Sequence, residues 1–381
     1  MAMRATILVH RIPIDTPVQT SFGVMRDRPS VTLRVEDDDG AVGWGEVWCN
    51  WPNVGAEHRA RLLEAVILPL VGETALARDP AALWSVLTER LHVLAIQAGE
   101  PGPIAHCLAG LACALQDLAA RRAGLPLARF LSPGAAGSVA VYASGINPTG
   151  APDTAERAIA AGYGAAKIKI GFDAGRDRDN LLGARALLGP DRPLMADANQ
   201  AWTLEKALAF APTADEVGLF WLEEPLVHDA PDEDWRTLAE AMTTPIAAGE
   251  NLSSRREFAE LPAARGLRVI QPDLGRWGGV GQLLEVGRSC RESGLMFCPH
   301  WLGGGIGLLT SCHTKAALAD PDGYVEVDFN ENPMRSELAG AVFATLADGR
   351  VALAEKPGIG IEDAAVDAFG AHLVATREVV F

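Results

Sequence analysis

From residue 4 onward apolar and polar positions alternate, first in ATILVHRI and then in SVTLRVEDDDGAVGWGEVW. A period of two predicts half-buried strands, and the DDDG between two apolar alternations is a hairpin turn signal, so an antiparallel meander is expected. From about residue 55 to 130 the apolar spacing changes to three and four, in HRARLLEAVILPLV, ALWSVLTERLHVL and IAHCLAGLACALQDLAARRAG. That spacing predicts amphipathic helices. Strands followed by helices make residues 1–130 an α+β domain.

After residue 138 short apolar runs alternate with helical segments: VAVYAS, AAKIKI, PLMADAN, LFWLEEP, PIAAGE, LRVIQPD, LMFCPH and GYVEVD. The eight runs are the number that closes a (β/α)₈ barrel, which places an α/β barrel of TIM type over residues 138–334. The tail, residues 335–381, has turn-rich segments and short alternating runs in place of another barrel unit, and is expected to pack back on the first domain.

The ends of the runs carry the chemistry. Lys169, Asp197, Glu223, Glu250, Asp273, His300 and Glu326 recur at intervals of 23 to 28 residues, each directly after an apolar run. In barrel enzymes that is the face on which active sites are built. Three like charges from consecutive strands, Asp197, Glu223 and Glu250, repel unless a cation neutralises them, and oxygen-only ligands suit Mg²⁺, with Mn²⁺ able to substitute. Each carboxylate alone could equally cap a helix or pair with an arginine. Asp273 and His300 end neighbouring strands, where a carboxylate can orient an imidazole and raise its basicity. Lys167 and Lys169 are two apart and share the inward face, where mutual repulsion and desolvation are expected to push a lysine pKa down and make it a base.

Charge and composition narrow the classes. With 49 acidic against 33 basic residues, a net charge of −16 excludes a nucleic-acid surface or a basic membrane face and favours cation binding. No run of about 18 apolar residues is present, and MAMRATILVHRIPIDTP lacks the apolar core of a signal peptide, so a cytoplasmic location is expected. Cys49, Cys107, Cys113, Cys290, Cys298 and Cys312 form no CxxC pair and are expected as buried thiols. Cys298 stands beside His300 in FCPH, but strand alternation is expected to turn the two to opposite faces.

Together KIK (167–169), DAN (197–199), EEP (223–225), GEN (249–251), QPD (271–273), PH (299–300) and VEVDFNENPMR from 325 resemble the enolase superfamily, specifically its mandelate racemase subgroup. The resemblance covers essentially the whole chain. It implies a modified (β/α)₇β barrel with an α+β capping domain completed by the C-terminal tail. It further implies Asp197, Glu223 and Glu250 as Mg²⁺ ligands, Lys169 as one acid/base and His300 with Asp273 as the other. Lys167 would then contact a substrate carboxylate, Asn199 would support the metal site, and Glu326 would hydrogen-bond the enolate or carboxylate oxygen. Glu223 is taken as the ligand of the EEP motif because Glu224 should face away. Relatives of this kind assemble as dimers or octamers. Substrate choice would lie in the capping loops TSFGVMRDRPS and VWCNWPNVG, which offer Arg26, Asp27, Arg28, Trp48 and Trp51.

The expected chemistry is removal of the α-proton of a small hydroxy carboxylate to give an ene-diolate, which needs a positioned metal and charged donors. Dehydration of a sugar acid to a 2-keto-3-deoxy acid is the first expectation. Racemisation or epimerisation of an α-hydroxy or α-amino acid by 1,1-proton transfer is the second. A Schiff-base aldolase built on Lys169 and a metal-binding barrel without chemistry are the alternatives from other classes.

Overall fold

A computed structural model describes residues 3–74 and 76–381. The opening alternation folds into β1 (Arg4–Thr20), β2 (Gly23–Glu36) and β3 (Val42–Val47), an antiparallel meander. Its register pairs Ala5 with Val35, Ile7 with Leu33 and Val9 with Val31, so all six side chains fall on one fully buried face. The helices Gly55–Leu62 and Pro101–Arg122 cover that face, and Pro80–Ala98 packs on the latter. Pro101–Arg122 is apolar and long enough to span a membrane, but here it is a core helix with most of its residues buried.

That helix sits close against β3 because β3 carries Gly43 and Gly45 on the contact side. A Cβ at Gly45 would lie 2.2 Å from the Gly110 carbonyl oxygen, and one at Gly43 would lie 2.3 Å from that of Ala114. The close approach lets buried Asp117 accept from Trp44 N at 2.9 Å and from Ile359 N at 2.7 Å, which ties sheet, helix and tail together.

Eight parallel strands follow: β4 (Ser138–Ile146), β5 (Ala166–Lys169), β6 (Leu194–Asp197), β7 (Leu222–Glu223), β8 (Ile246–Ala248), β9 (Val269–Ile270), β10 (Met296–Phe297) and β11 (Val325–Asp328). They pair in the order β10-β9-β8-β7-β6-β5-β4-β11, with a helix in each of the seven intervals, which is the (β/α)₇β arrangement. No ladder joins β10 to β11 among the described residues. The seam is bridged by Glu326 N donating to Pro299 O at 3.2 Å and by Tyr324 N donating to Cys298 Sγ at 3.3 Å.

Tyr142, Ala165, Met195, Trp221, Ala247, Val269 and Cys298 pack as one buried cluster inside the strands. Most sit two residues before a polar strand-end residue, so they floor the barrel and leave its rim to charged groups. The tail does two things. β12 (Arg350–Ala352) pairs antiparallel with β4, which the sequence pattern did not indicate, and β13 (Leu373–Val380) returns to pair with β1 in the first sheet.

The glycine contact gives a direct check. Gly45→Val forces the helix Pro101–Arg122 off β3 and should destabilise the protein by at least about 2 kcal/mol in urea denaturation, an overpacking effect. Val42→Ile, on the same strand but partly exposed, should shift the midpoint little.

Candidate active site

Register decides where the charged residues stand. Lys169 is the strand partner of Asp197, and Asp197 of Glu223, so three charged side chains occupy adjacent positions at one level of the barrel. Beyond β8 the chain turns through Gly249 at φ +146°, where a Cβ would meet Gln271 N at 2.6 Å, and this turn delivers Glu250 to the same rim. Asp273 and His300 form an isolated parallel bridge just past β9 and β10, and Glu326 lies inside β11.

All seven strand-end residues belong to one network, and none is more than 8% exposed. Lys169 Nζ donates to Asp197 Oδ2 and to Asn199 Oδ1, both at 2.6 Å. Lys167 Nζ donates to Glu223 Oε1 at 2.5 Å and lies 2.9 Å from Glu326 Oε1 and 3.9 Å from Asp197 Oδ2. On the other side His300 Nδ1 bonds Asp273 Oδ2 at 2.6 Å, while Nε2 is 2.9 Å from Glu250 Oε2 and 3.6 Å from Glu326 Oε2. Asp273 is held in turn by the backbone N–H groups of Gly275 at 2.8 Å and Arg276 at 3.1 Å.

The electrostatics follow from charge packed where water is excluded. Burial, reinforced by Asp197, Glu326 and Glu250, outweighs Lys167 and pushes Glu223 up to about 7. For Glu250, burial is overcome by His300 and Arg276, which hold it well below the usual carboxylate range. Burial pulls His300 down, but Glu250, Glu326 and the bond to Asp273 raise it well above an ordinary imidazole.

Here one expectation is corrected. Burial does pull Lys167 down, but Glu223 and Glu326 outweigh it and hold it well above the ordinary lysine value. Lys169 is likewise raised, because Asp197 outweighs both burial and the repulsion from Lys167. Within this set of side chains each ammonium faces a carboxylate more closely than it faces its twin.

Asn199, at φ +43°, donates its backbone N–H to Asp197 Oδ1 at 2.8 Å, and its carbonyl accepts from Ser21 in the β1–β2 loop at 2.6 Å. Trp48 is buried and stacks under Arg276, whose guanidinium lies 4.5 Å from the ring centroid and whose Nη2 is 3.2 Å from Glu250. Arg26 is exposed and is not brought into the network. Its neighbour Arg28 instead pairs with Asp328 at 2.6 Å, both fully buried, and so ties β2 to β11. Glu224 turns out of the ring but stays buried, accepting from Asn251 at 2.8 Å, and burial with the nearby Glu250 pushes it well above the usual carboxylate range.

Cys298 and His300 share a face, contrary to the expected alternation, since residues two apart on a strand point the same way. Cys298 forms part of the floor below the histidine, and burial pushes its thiol up to about 12, so it is no nucleophile.

Sequence reading missed Gln271, which donates to Glu223 at 2.5 Å, and Ser144, which bonds Glu326. Both share the inward parity of Asp273 and Tyr142, a signal that was available. The acidic turn of Asp37, Asp38 and Asp39 has carboxylate oxygens within 4.8 Å of one another, but Arg78 and Arg122 pair with it and it stands apart from the ring. A cavity of about 900 Å³ on the outer wall, among the helices Asp232–Ala241, Arg255–Arg265 and Gly279–Glu292, contains no ring member.

Comparison with known proteins agrees with this architecture. Residues 151–365 match the enolase C-terminal domain-like family, and residues 2–132 match the mandelate racemase / muconate lactonizing enzyme N-terminal domain. The chain belongs to the enolase superfamily, in its mandelate racemase subgroup. Within the superfamily it is 30% identical over 376 residues, 95% of each chain, to D-galactarolactone cycloisomerase of Agrobacterium fabrum. A mandelate racemase/muconate lactonizing enzyme structure from Bordetella bronchiseptica RB50 shares 48% identity with a TM-score of 0.89, covering 97% of this chain and 98% of that one. L-Talarate dehydratase from Polaromonas sp. JS666, solved with Mg and L-glucarate, shares 26% identity with a TM-score of 0.79, covering 99% and 98%. The capping sheet and barrel described above are those of this superfamily.

One contact between cap and barrel predicts a pH effect. Glu46 of β3 is buried and accepts from Gly304 N at 2.5 Å and Gly307 N at 3.0 Å, at the start of the helix Gly305–Ala317 that follows His300. Burial raises it to about 7 against the two N–H bonds. A carboxyl raised in the fold favours the protonated state, so its contribution to stability is full below about 4.5, falls as pH rises, and is lost above 7. Replacing Glu46 by Gln should remove a slope of up to about 1.4 kcal/mol per pH unit between those limits, read as the difference between the two urea-stability curves.

Proposed function

We propose that this protein is a Mg²⁺-dependent dehydratase of a sugar acid or related hydroxy acid, acting by removal of the proton α to the carboxylate. The observation that carries the reading is the continuous buried ring, with Lys169 and His300 facing each other across three carboxylates. Lys169 ends β5 and His300 follows β10, three strands apart one way round and five the other. An α-carbon between them would have a proton-transferring group on each face.

The donor set suits a divalent cation. Asp197, Glu223, Glu250, Asp273 and Glu326 face Lys167, Lys169, Arg276 and a protonated His300, which leaves one negative charge before any cation is counted. Asp197, Glu223 and Glu250 offer only hard oxygen donors, and they would hold Mg²⁺, or Mn²⁺ in its place. When bound, the ion supplies Lewis-acid stabilisation of negative charge on the substrate carboxylate and engages carboxylates that otherwise hold the lysine protons.

The remaining steps belong to the chain's own groups. Lys167, fixed over the Tyr142 ring at 5.3 Å, orients the substrate carboxylate. Lys169 takes the α-proton, and Asn199 keeps its Nζ at the rim. His300, aligned by Asp273, donates a proton as the β-hydroxyl departs, and the resulting enol tautomerises to a 2-keto-3-deoxy acid. Glu326, held by Lys167 and Ser144, accepts a hydrogen bond from a substrate hydroxyl. The sugar-acid substrate of the talarate dehydratase neighbour and the galactarolactone cycloisomerase relative support this class. The same pair on two faces also fits racemisation or epimerisation, in which the second group returns a proton to carbon.

A Mg²⁺-loaded screen of acid sugars distinguishes the two. Dehydration predicts a semicarbazide-reactive keto acid, and solvent deuterium at an inverted α-carbon without keto acid would replace it with racemisation. Lys169→Met and His300→Asn should each lower kcat by roughly a thousandfold, and EDTA should abolish turnover until Mg²⁺ is restored. Wild-type turnover by both variants would sink the proposal.

A further inference from the structure

Between cap and barrel, on the Glu250 side of the ring, four side chains from four separate elements meet. Trp48 follows β3, Arg59 belongs to the helix Gly55–Leu62, His106 to the helix Pro101–Arg122, and Arg276 to the loop after β9. The Trp48 and His106 rings are 4.9 Å apart, Arg59 Nη2 lies 3.3 Å from His106 Nδ1, and Arg276 lies on the Trp48 ring at 4.5 Å.

The charges of this group do not balance. Arg59 is 3% exposed and forms no ion pair: its hydrogen-bond partners are neutral, the carbonyls of Gly55 at 3.4 Å and Trp51 at 3.3 Å and the His106 ring nitrogen, and the one carboxylate that acts on it from a distance, Glu100, is bonded to His58 at 2.8 Å. Burying a guanidinium without an anion costs several kcal/mol, so proteins rarely leave one in that state without a use for it. Three more donors here are buried with no acceptor: Trp48 Nε1, Arg59 Nε and Arg276 Nε. His106 accepts from Arg59 at Nδ1, which leaves its other nitrogen to carry the proton and act as a donor. Burial, with Arg59 and Arg276 adding to it, keeps that imidazole neutral. The group therefore presents three unpaired N–H donors and a guanidinium without an ion pair, beside the ring at which a substrate carboxylate would be held.

We propose that Trp48, Arg59, His106 and Arg276 form the subsite for a second carboxylate, so that the substrate is a dicarboxylic hydroxy acid. This rests on the reading of the ring as an α-proton-abstracting site. A carboxylate fits better than a phosphate because Arg276 is already shared with Glu250, leaving Arg59 as the one guanidinium of the group without an ion pair. A monoanion neutralises it, whereas a dianion would leave buried negative charge. The planar guanidinium and the indole N–H suit the in-plane lone pairs of a carboxylate.

The test compares acids of equal length on the Mg²⁺-loaded enzyme, following α-proton exchange in D₂O by NMR: galactarate against galactonate, and glucarate against gluconate and 6-phosphogluconate. The diacid should exceed the monoacid in kcat/KM by at least roughly 100-fold, since a site built for a polar group rejects an analogue lacking it. Arg59→Met should collapse that ratio to near one, and Trp48→Phe, which keeps a ring but removes the N–H, should lower it about tenfold. Arg59→Lys keeps the charge and should retain most of the ratio, which separates this role from support of the loop. Equal use of diacids and monoacids by the wild type, preference for the phosphorylated acid, or an unchanged ratio in Arg59→Met would overturn the inference. A binding arm separates the two readings: glutarate, but not valerate, should raise the melting temperature of the wild type and not of Arg59→Met. If no acid exchanges its α-proton while this difference persists, the proposed chemistry fails and the subsite stands.

Discussion

The pairing of β5 with β6 and β6 with β7 sets Lys169, Asp197 and Glu223 side by side at the end of a dry barrel, where water cannot screen them. Charges at hydrogen-bond distance in such a place interact far more strongly than on a surface, so each must be answered by another. The rest of the rim is that answer. Lys167 reaches up to Glu223 and Glu326, and Gln271 and Trp221 complete the Glu223 carboxylate. His300 spans Glu250 and Asp273 on the far side. A ring whose two halves are joined through shared carboxylates holds Lys169 and His300 at fixed separation before any substrate arrives, as the proposed proton transfers require.

The first domain is the roof of this arrangement, and three of its polar attachments bear on the rim. Glu46 caps the helix after His300, Ser21 holds the Asn199 carbonyl, and buried Arg28 pairs with Asp328 at the end of β11. Trp301, which follows His300, donates to Gly304 O at 2.8 Å and fills space that Gly275, Gly303 and Gly307 leave open. The capping sheet thus bears on the His300–Asp273 pair through packing and one carboxylate, and it brings Trp48 over the Glu250 side of the rim. Under the proposed function the catalytic groups belong to the barrel and the recognition groups to the cap, a division that lets a barrel change substrate through changes in its loops.

Much of this was legible in the chain. A titratable residue after each apolar run signals a barrel rim because strand ends recur with the βα repeat, and all seven residues found that way lie in one network. The return of the tail to the first domain was expected from its short alternating runs, and its pairing with β1 was not. What escaped reading depended on distance in sequence. Glu46 meets Gly304 and Gly307 across more than 250 positions, and nothing local to GWGEV indicates a helix to cap. Arg59 reads as one more charge on an amphipathic helix until tertiary packing shows it buried without an anion. Arg26 and Arg28 share strand parity and are indistinguishable as letters, and only Asp328, brought near from β11, sets Arg28 apart. The lysines were misjudged because two ammonium groups on one strand suggest repulsion, while the nearest charges are carboxylates contributed by other strands.

The account stands on Asp197, Glu223 and Glu250 forming the cation site, in preference to the other acidic group at Asp37–Asp39. Anomalous diffraction from crystals grown with Mn²⁺ tests this directly. The account predicts one strong peak at the barrel rim within coordination distance, about 2.2 Å, of an oxygen from each of Asp197, Glu223 and Glu250. A peak confined to the Asp37–Asp39 turn, or a rim without a peak while Lys167 keeps its bond to Glu223, would contradict it.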